Sequence, residues 1–242
     1  LRPLITADRI IVEHASKNVL NYPLAIANAL RLKRVGYWGH GRDRQSDSNS
    51  LGELFKRRSL HWTDWWFAYT EGAALYVREQ GFDTSRVTVV GNSVDTRELR
   101  DQVASVTDAE RVDMLAEMSL SIDGKRLIYC GSLYRNKRLD LMLPTIEALR
   151  EQIPDLQFIV LGGGPLAHEI VEFAASRPWV RYVGPQFGRR KAIFLSLALV
   201  WFNPGLVGLG ILDAFSAGLP LVTSNLPIHS PEIEYLEHGS NG

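Results

Sequence analysis

Apolar and polar positions follow two rhythms along this chain, and its second half keeps them apart most cleanly. Short apolar runs at 127–130, 157–161, 180–183, 199–202 and 219–223 predict strands. Between them lie stretches with apolar residues at helical spacing: 139–153, a run after Pro165 that reaches Arg177, 189–198 and 210–217. Strands and helices in alternation predict parallel βαβ units with helices on both faces. The handedness of such crossovers leaves an open, doubly wound sheet. The first half repeats the theme, with strands predicted at 9–12, 34–38, 66–69 and 87–90 and helices at 20–32 and 71–80. Segment 42–50 is polar without period and reads as a loop. After Val94 and Asp95 comes a charged helical stretch, 96–118, so a domain join is expected near Asp95, between domains 1–95 and 96–242.

Composition changes this picture little. Lys plus Arg and Asp plus Glu number 27 each, which gives no electrostatic argument for nucleic acid as a partner. The single cysteine, Cys130, excludes an internal disulfide and any zinc site built on several cysteines, and its apolar setting predicts a buried strand residue. No stretch has the pattern of a signal peptide. Segment 192–212 carries no charge, but Asn203-Pro204-Gly205 interrupts it, so a buried helix, turn and strand is expected there instead of a membrane span.

Three strand-to-helix turns are rich in glycine, which lets a ligand phosphate approach the backbone near helix-start N–H groups. The first is Gly131-Ser132-Leu133-Tyr134-Arg135-Asn136-Lys137-Arg138, which also supplies cations. The second is Gly162-Gly163-Gly164-Pro165. The third runs from Pro204 through Gly205, Gly208, Leu209 and Gly210 to Asp213. Any one alone reads as a tight turn; three along one sheet edge, with cations on the first, point to a diphosphate ligand.

These segments resemble glycosyltransferase family 4, retaining and metal-independent enzymes. Gly131 to Lys137, followed by Leu139-Asp140, is similar to the loop that opens the family's C-terminal domain. The turn ending at Pro165 is similar to its Gly-x-Gly-Pro turn. Segment 203–218 with Pro220-Leu221-Val222-Thr223 resembles its donor-site segment, and Val89 to Asp95 resembles the segment closing its N-terminal domain. The resemblance spans about Arg34 to Gly242. It implies an α/β fold of two Rossmann-like, doubly wound parallel-sheet domains facing each other, the GT-B arrangement. The N-domain, on the acceptor side, would be incomplete, and the C-domain would bind the nucleotide sugar. It implies transfer of a sugar from a nucleotide diphosphate sugar to a hydroxyl of a glycan or lipid-linked glycan, with retention, no cofactor and no metal. The expected setting is the cytoplasm or the inner face of its membrane. By residue, Lys137 would pair with the pyrophosphate, with Gly131, Ser132, Arg135, Gly163 and Gly164 completing the donor loops. Gly208, Leu209 and Gly210 would offer backbone N–H groups. Asp213 would bind the ribose, and His40, beside glycines at a strand end, would face the donor sugar.

Three positions depart from the family pattern. Ser132 stands where the loop carries an arginine, leaving Arg135 or Arg138 to supply that charge. Val207 is the nearest match to the first of two paired glutamates, and Ser93 replaces a glycine. The missing glutamate is what favours the competing reading, a non-catalytic nucleotide-sugar-binding relative. An NAD site at Gly162-Gly163-Gly164 would need an acidic residue ending the next strand, where Gly184-Pro185 follows Val183. No Asp-x-Asp pair is present to hold a metal on phosphates. The basic and aromatic stretch Lys56-Arg57-Arg58, His61, Trp62, Trp65, Trp66 reads either as a membrane-surface contact or as a solvated turn before a packed Trp-rich helix. Glu13-His14-Ala15-Ser16 is a weaker candidate for the acceptor side.

Overall fold

The computed structural model describes residues 6–15, 17–41, 55 and 57–242; segment 42–50, Lys56 and Ser16 lie outside them. The chain divides into two compact units, 1–92 and 93–242.

In the first unit, four parallel strands lie side by side in chain order: β1 (Arg9–Glu13), β2 (Arg34–Gly39), β3 (Trp65–Ala68) and β4 (Val87–Val89). Helix α1 (Asn21–Ala29) follows β1 and α2 (Glu71–Glu79) follows β3. Alternate strand residues (Ile10, Val35, Tyr37, Trp66, Ala68, Val87) form one apolar cluster with Leu24 of α1 and Ala73, Ala74 and Val77 of α2. Of the opposite positions, Ile11, Trp38 and Trp65 are exposed, while Gly36 is buried and Phe67 half-buried. The helices described in this unit pack on the first of these faces. Thr70 caps α2 by accepting from the Ala73 amide, with Glu71 in the first turn complementing the helix dipole.

The second unit has five parallel strands in the order β7-β6-β5-β8-β9: β5 (Lys125–Cys130), β6 (Leu156–Leu161), β7 (Val180–Gly184), β8 (Val200–Phe202) and β9 (Leu221–Val222). Helices cover both faces. Tyr129, Phe158 and Val160 pack on α5 (Leu139–Gln152) and α6 (Ala167–Ala175). Ile128, Ile159 and Leu161, the alternate residues, pack toward α4 (Asp108–Glu117), α7 (Gly188–Ser196) and α8 (Gly210–Ser216). Strand β6 is buried along its whole length, as expected of a strand covered on both sides.

The helix expected over 96–118 is two, α3 (Arg97–Ala104) and α4. The break comes at Thr107, whose hydroxyl accepts from the Glu110 amide while Glu110 reaches back to the Thr107 amide. Segment 192–212 resolves into the end of α7, β8, a loop and the start of α8. No helix among the described residues is long and apolar enough to cross a membrane. The Trp-rich helix does not form: Trp65 and Trp66 belong to β3, and only Trp66 is buried.

Candidate functional site

Strand order in the second unit reverses at β5: the chain steps outward through β6 to β7, then returns to the other side of β5 for β8 and β9. In open parallel sheets the crevice outside the carboxyl ends of strands at such a switch point is where ligands bind. The loops leaving β5 and β8 are the first and third glycine turns, and they meet.

Their meeting is made by main chain. The Leu206 amide donates to Asn136 O at 2.7 Å, and a Cβ on Gly205 would sit inside the Lys137 backbone. The second turn locks onto the first in the same manner: Leu133 N donates to Gly163 O at 2.8 Å. Gly162, at φ 130°, lies so close to Gly131 O that any Cβ would overlap it. A Cβ on Gly164 would likewise overlap Leu133 O. The structure thus gives Gly162 and Gly164 a packing role that the sequence pattern assigned to ligand approach, while Gly163 has only the Pro185 ring near its Cβ position.

Lys137 lies in the short helical turn Arg135–Lys137 after β5. Its Nζ donates to Leu206 O in the β8 loop and stands 5.7 Å from the Tyr134 ring centre. Burial pushes its ammonium down to about 8. A lysine so poorly hydrated gains by meeting an anion. Beyond Leu206, the Val207 amide is taken by His229 Nδ1 at 3.1 Å, but the Gly208, Leu209 and Gly210 amides have no acceptor among the described residues. Cations and three open amides thus flank one switch point.

Other expected residues fall differently. Arg138 adopts the left-handed conformation (φ 55°, ψ 54°), and its guanidinium is engaged by Asp140 at 2.7–3.0 Å. Arg135 has no ion pair among the described residues, so of the two candidates it is the loop's uncommitted guanidinium. It lines a cavity of about 710 Å³ with Asn136, Leu139, Leu166, Glu169 and Ile228. Ser132 is exposed, its carbonyl accepting from the Tyr129 hydroxyl. Val207 is 1% exposed and cannot stand in for a sugar-facing acid. Asp213, in the first turn of α8, accepts from Lys191 Nζ at 2.7 Å. Burial pushes the Cys130 thiol up to about 11, which argues against a nucleophile.

Sequence reasoning missed Lys191 and His229. His229 is buried and spans two loops, accepting from Val207 N and donating through Nε2 to Ser224 O at 2.8 Å, which requires the neutral Nε2–H tautomer. A partner 22 residues away leaves no local signal.

In the first unit, His40 follows β2, and its ring lies 6.0 Å from that of Tyr69. His14 is buried against Tyr37 and Trp66, with Nε2 2.8 Å from Ser59 Oγ, so it is a packed core histidine. Arg57 Nε donates to Gln80 Oε1.

Residues 124–242, slightly under half the chain, match the family described as "Glycosyl transferases group 1". No curated protein matches the sequence. Among solved structures, the whole chain superposes on Anabaena HepE in complex with UDP (TM-score 0.73, 15% identity), covering 65% of that protein. It also resembles the lipopolysaccharide outer core galactosyltransferase WaaB (TM-score 0.67, 14% identity, 98% of this chain and 61% of that one). UDP-GlcNAc 2-epimerase from Methanocaldococcus jannaschii is similar as well (TM-score 0.58, 20% identity, 97% and 65%). The chain therefore spans a little under two thirds of the length of these proteins. At such identities the likeness shows the fold, which is that of the GT-B proteins, built from two parallel α/β units.

Proposed function

We propose that the chain handles the donor in a glycosyltransferase that moves a sugar from a nucleotide diphosphate sugar to a hydroxyl acceptor, a glycan or lipid-linked glycan, with retained configuration. The observation that carries this reading is the Lys137–Leu206 contact at the switch point, beside the open amides of Gly208, Leu209 and Gly210. Support comes from the family match over 124–242 and from a fold neighbour solved with UDP. The epimerase neighbour shares the fold; the family match is what favours transfer.

In this reading, catalysis rests on leaving-group stabilisation. Lys137 and the three amides neutralise charge developing on the diphosphate as the glycosidic bond breaks. Arg135 adds positive field, Asp213 binds the ribose, and His40 orients the transferred sugar. No metal is needed for that chemistry, and we place the protein in the cytoplasm, where its membrane contact would be peripheral. A second reading, a nucleotide-sugar binder without turnover, is favoured by one feature: Val207 is buried where a sugar-facing acid would stand.

Calorimetry with UDP and uridine tests the assignment. Lys137→Ala is expected to weaken UDP binding by roughly 1.5–3 kcal/mol, the worth of a charge-assisted contact, and to leave uridine unchanged. Equal losses for both ligands would remove Lys137 from the pyrophosphate. Transfer activity that persists in excess EDTA separates this mechanism from a metal-assisted one, and tight binding without transfer supports the second reading.

A further inference from the structure

Helix α7 opens with three consecutive cations, and they part company. Arg189 reaches back to Glu110 of α4, at 2.9 and 2.6 Å, and Arg190 reaches Glu117 of the same helix. Lys191 turns instead to α8, where its Nζ donates to Asp213 Oδ2 at 2.7 Å. Both side chains of that pair are largely withdrawn from water, 20% and 27% exposed. Cys130, the last residue of β5, feels both charges, the lysine pulling its thiol down and the aspartate pushing it up. Cys130 also packs against the cluster that holds Ile193 of α7 and Ala214 of α8, so the two helices that carry the pair meet by the carboxyl end of β5, next to the switch point.

We propose that Lys191 is the positioning residue for Asp213, fixing its carboxylate for the ribose hydroxyls of the donor; this rests on the donor-site reading above. An ionised carboxylate has about four lone-pair sites, and a lysine holding Oδ2 leaves Oδ1 free to accept. The contact removes rotamer freedom from Asp213 before the ligand arrives, so less ordering is left to do on binding. Lys191 needs no contact with the ligand for this.

The test is calorimetry on the full chain with UDP and with 2′,3′-dideoxy-UDP, which lacks both ribose hydroxyls. The unaltered protein is expected to prefer UDP by about tenfold or more, the worth of a charge-assisted hydrogen bond. Asp213→Asn and Lys191→Met should each collapse that preference, the double variant should lose nothing further, and Lys191→Arg should restore it. Melting temperatures run alongside separate ligand effects from folding. A lower melting temperature in Lys191→Met with the preference intact would make the pair a mere tie between α7 and α8. Equal weakening of both diphosphates, with uridine untouched, would make Lys191 a phosphate contact instead. A preference lost in Asp213→Asn but kept in Lys191→Met overturns this inference alone. An unaltered protein that binds UDP without the preference removes Asp213 from the ribose and the inference with it. If it binds no UDP, the donor-site reading for this nucleotide falls too.

Discussion

The two units solve the same problem, holding loops at the carboxyl edge of a parallel sheet, with different materials. In the first unit, side chains add to main-chain bonds such as Tyr69 N to Gly39 O: Asn21 Nδ2 donates to the carbonyls of Glu13 and Ala15 at 2.9 and 3.2 Å, and His14 meets Ser59. In the second, backbone lies on backbone, with Gly162 against Gly131 and Gly205 against Lys137. Strand order accounts for the difference. The first sheet runs β1 to β4 without reversal, while in the second β5 has β6 on one side and β8 on the other. Three loops then crowd the end of β5, and only glycine permits that closeness.

The largest effect that would sharpen this contrast is at Gly162. A methyl group there has no room against Gly131 O, and the backbone sits in a region that L-residues avoid. Gly162→Ala should destabilise the second unit by about 3 kcal/mol or more, by overpacking plus backbone strain. Asn21→Ala should cost about 1–3 kcal/mol, the loss of two side-chain hydrogen bonds, while the Glu13 and Ala15 carbonyls keep those from the Ala15 and Asn18 amides. Urea unfolding of both variants decides the matter; equal losses would erase the distinction between a main-chain edge and a side-chain edge.

A smaller effect follows from the buried ammonium of Lys137. Its folded value, about 8, lies below the ordinary 10.5. Between those two pH values the unfolded chain holds more protons than the folded one, so this residue's contribution to stability rises with pH. The penalty for burying its charge is fully present below about pH 8 and is relieved toward pH 10.5. The stability difference between the unaltered protein and Lys137→Met, followed by denaturant titration from pH 7 to 10, should shift in favour of the unaltered protein. Binding moves the other way: affinity for UDP should weaken above pH 8, as the free protein sheds the proton that the diphosphate needs. A flat profile in both measurements would mean Lys137 is better hydrated than its contacts imply.

Periodicity made the second unit legible because every strand is a short apolar run and every crossover has helical spacing. The split at Thr107 was equally written in the sequence, since Thr107 and Glu110 form a capping box. A continuous run of charged residues with helical propensity concealed it. The glycines were legible as turns, but whether each faces ligand or backbone depends on which loops become neighbours. Lys191 and Asp213, 22 residues apart on different helices, meet only once the sheet has ordered them. In the first unit, the alternation of Ile10 with Ile11 and Tyr37 with Trp38 gave strands correctly. It could not tell which of the two faces would carry the buried cluster, because both are apolar.

The contact between Gly205 and the Lys137 backbone also bears on redesign. Where two main chains touch, the spacing between the Lys137 backbone and the amides three to five residues beyond Gly205 is set by bond geometry, with no side chain able to stretch it. This part of the edge therefore behaves as a fixed ruler. Ser132 and Arg135, exposed on the loop beside it, can be varied while that ruler keeps its length.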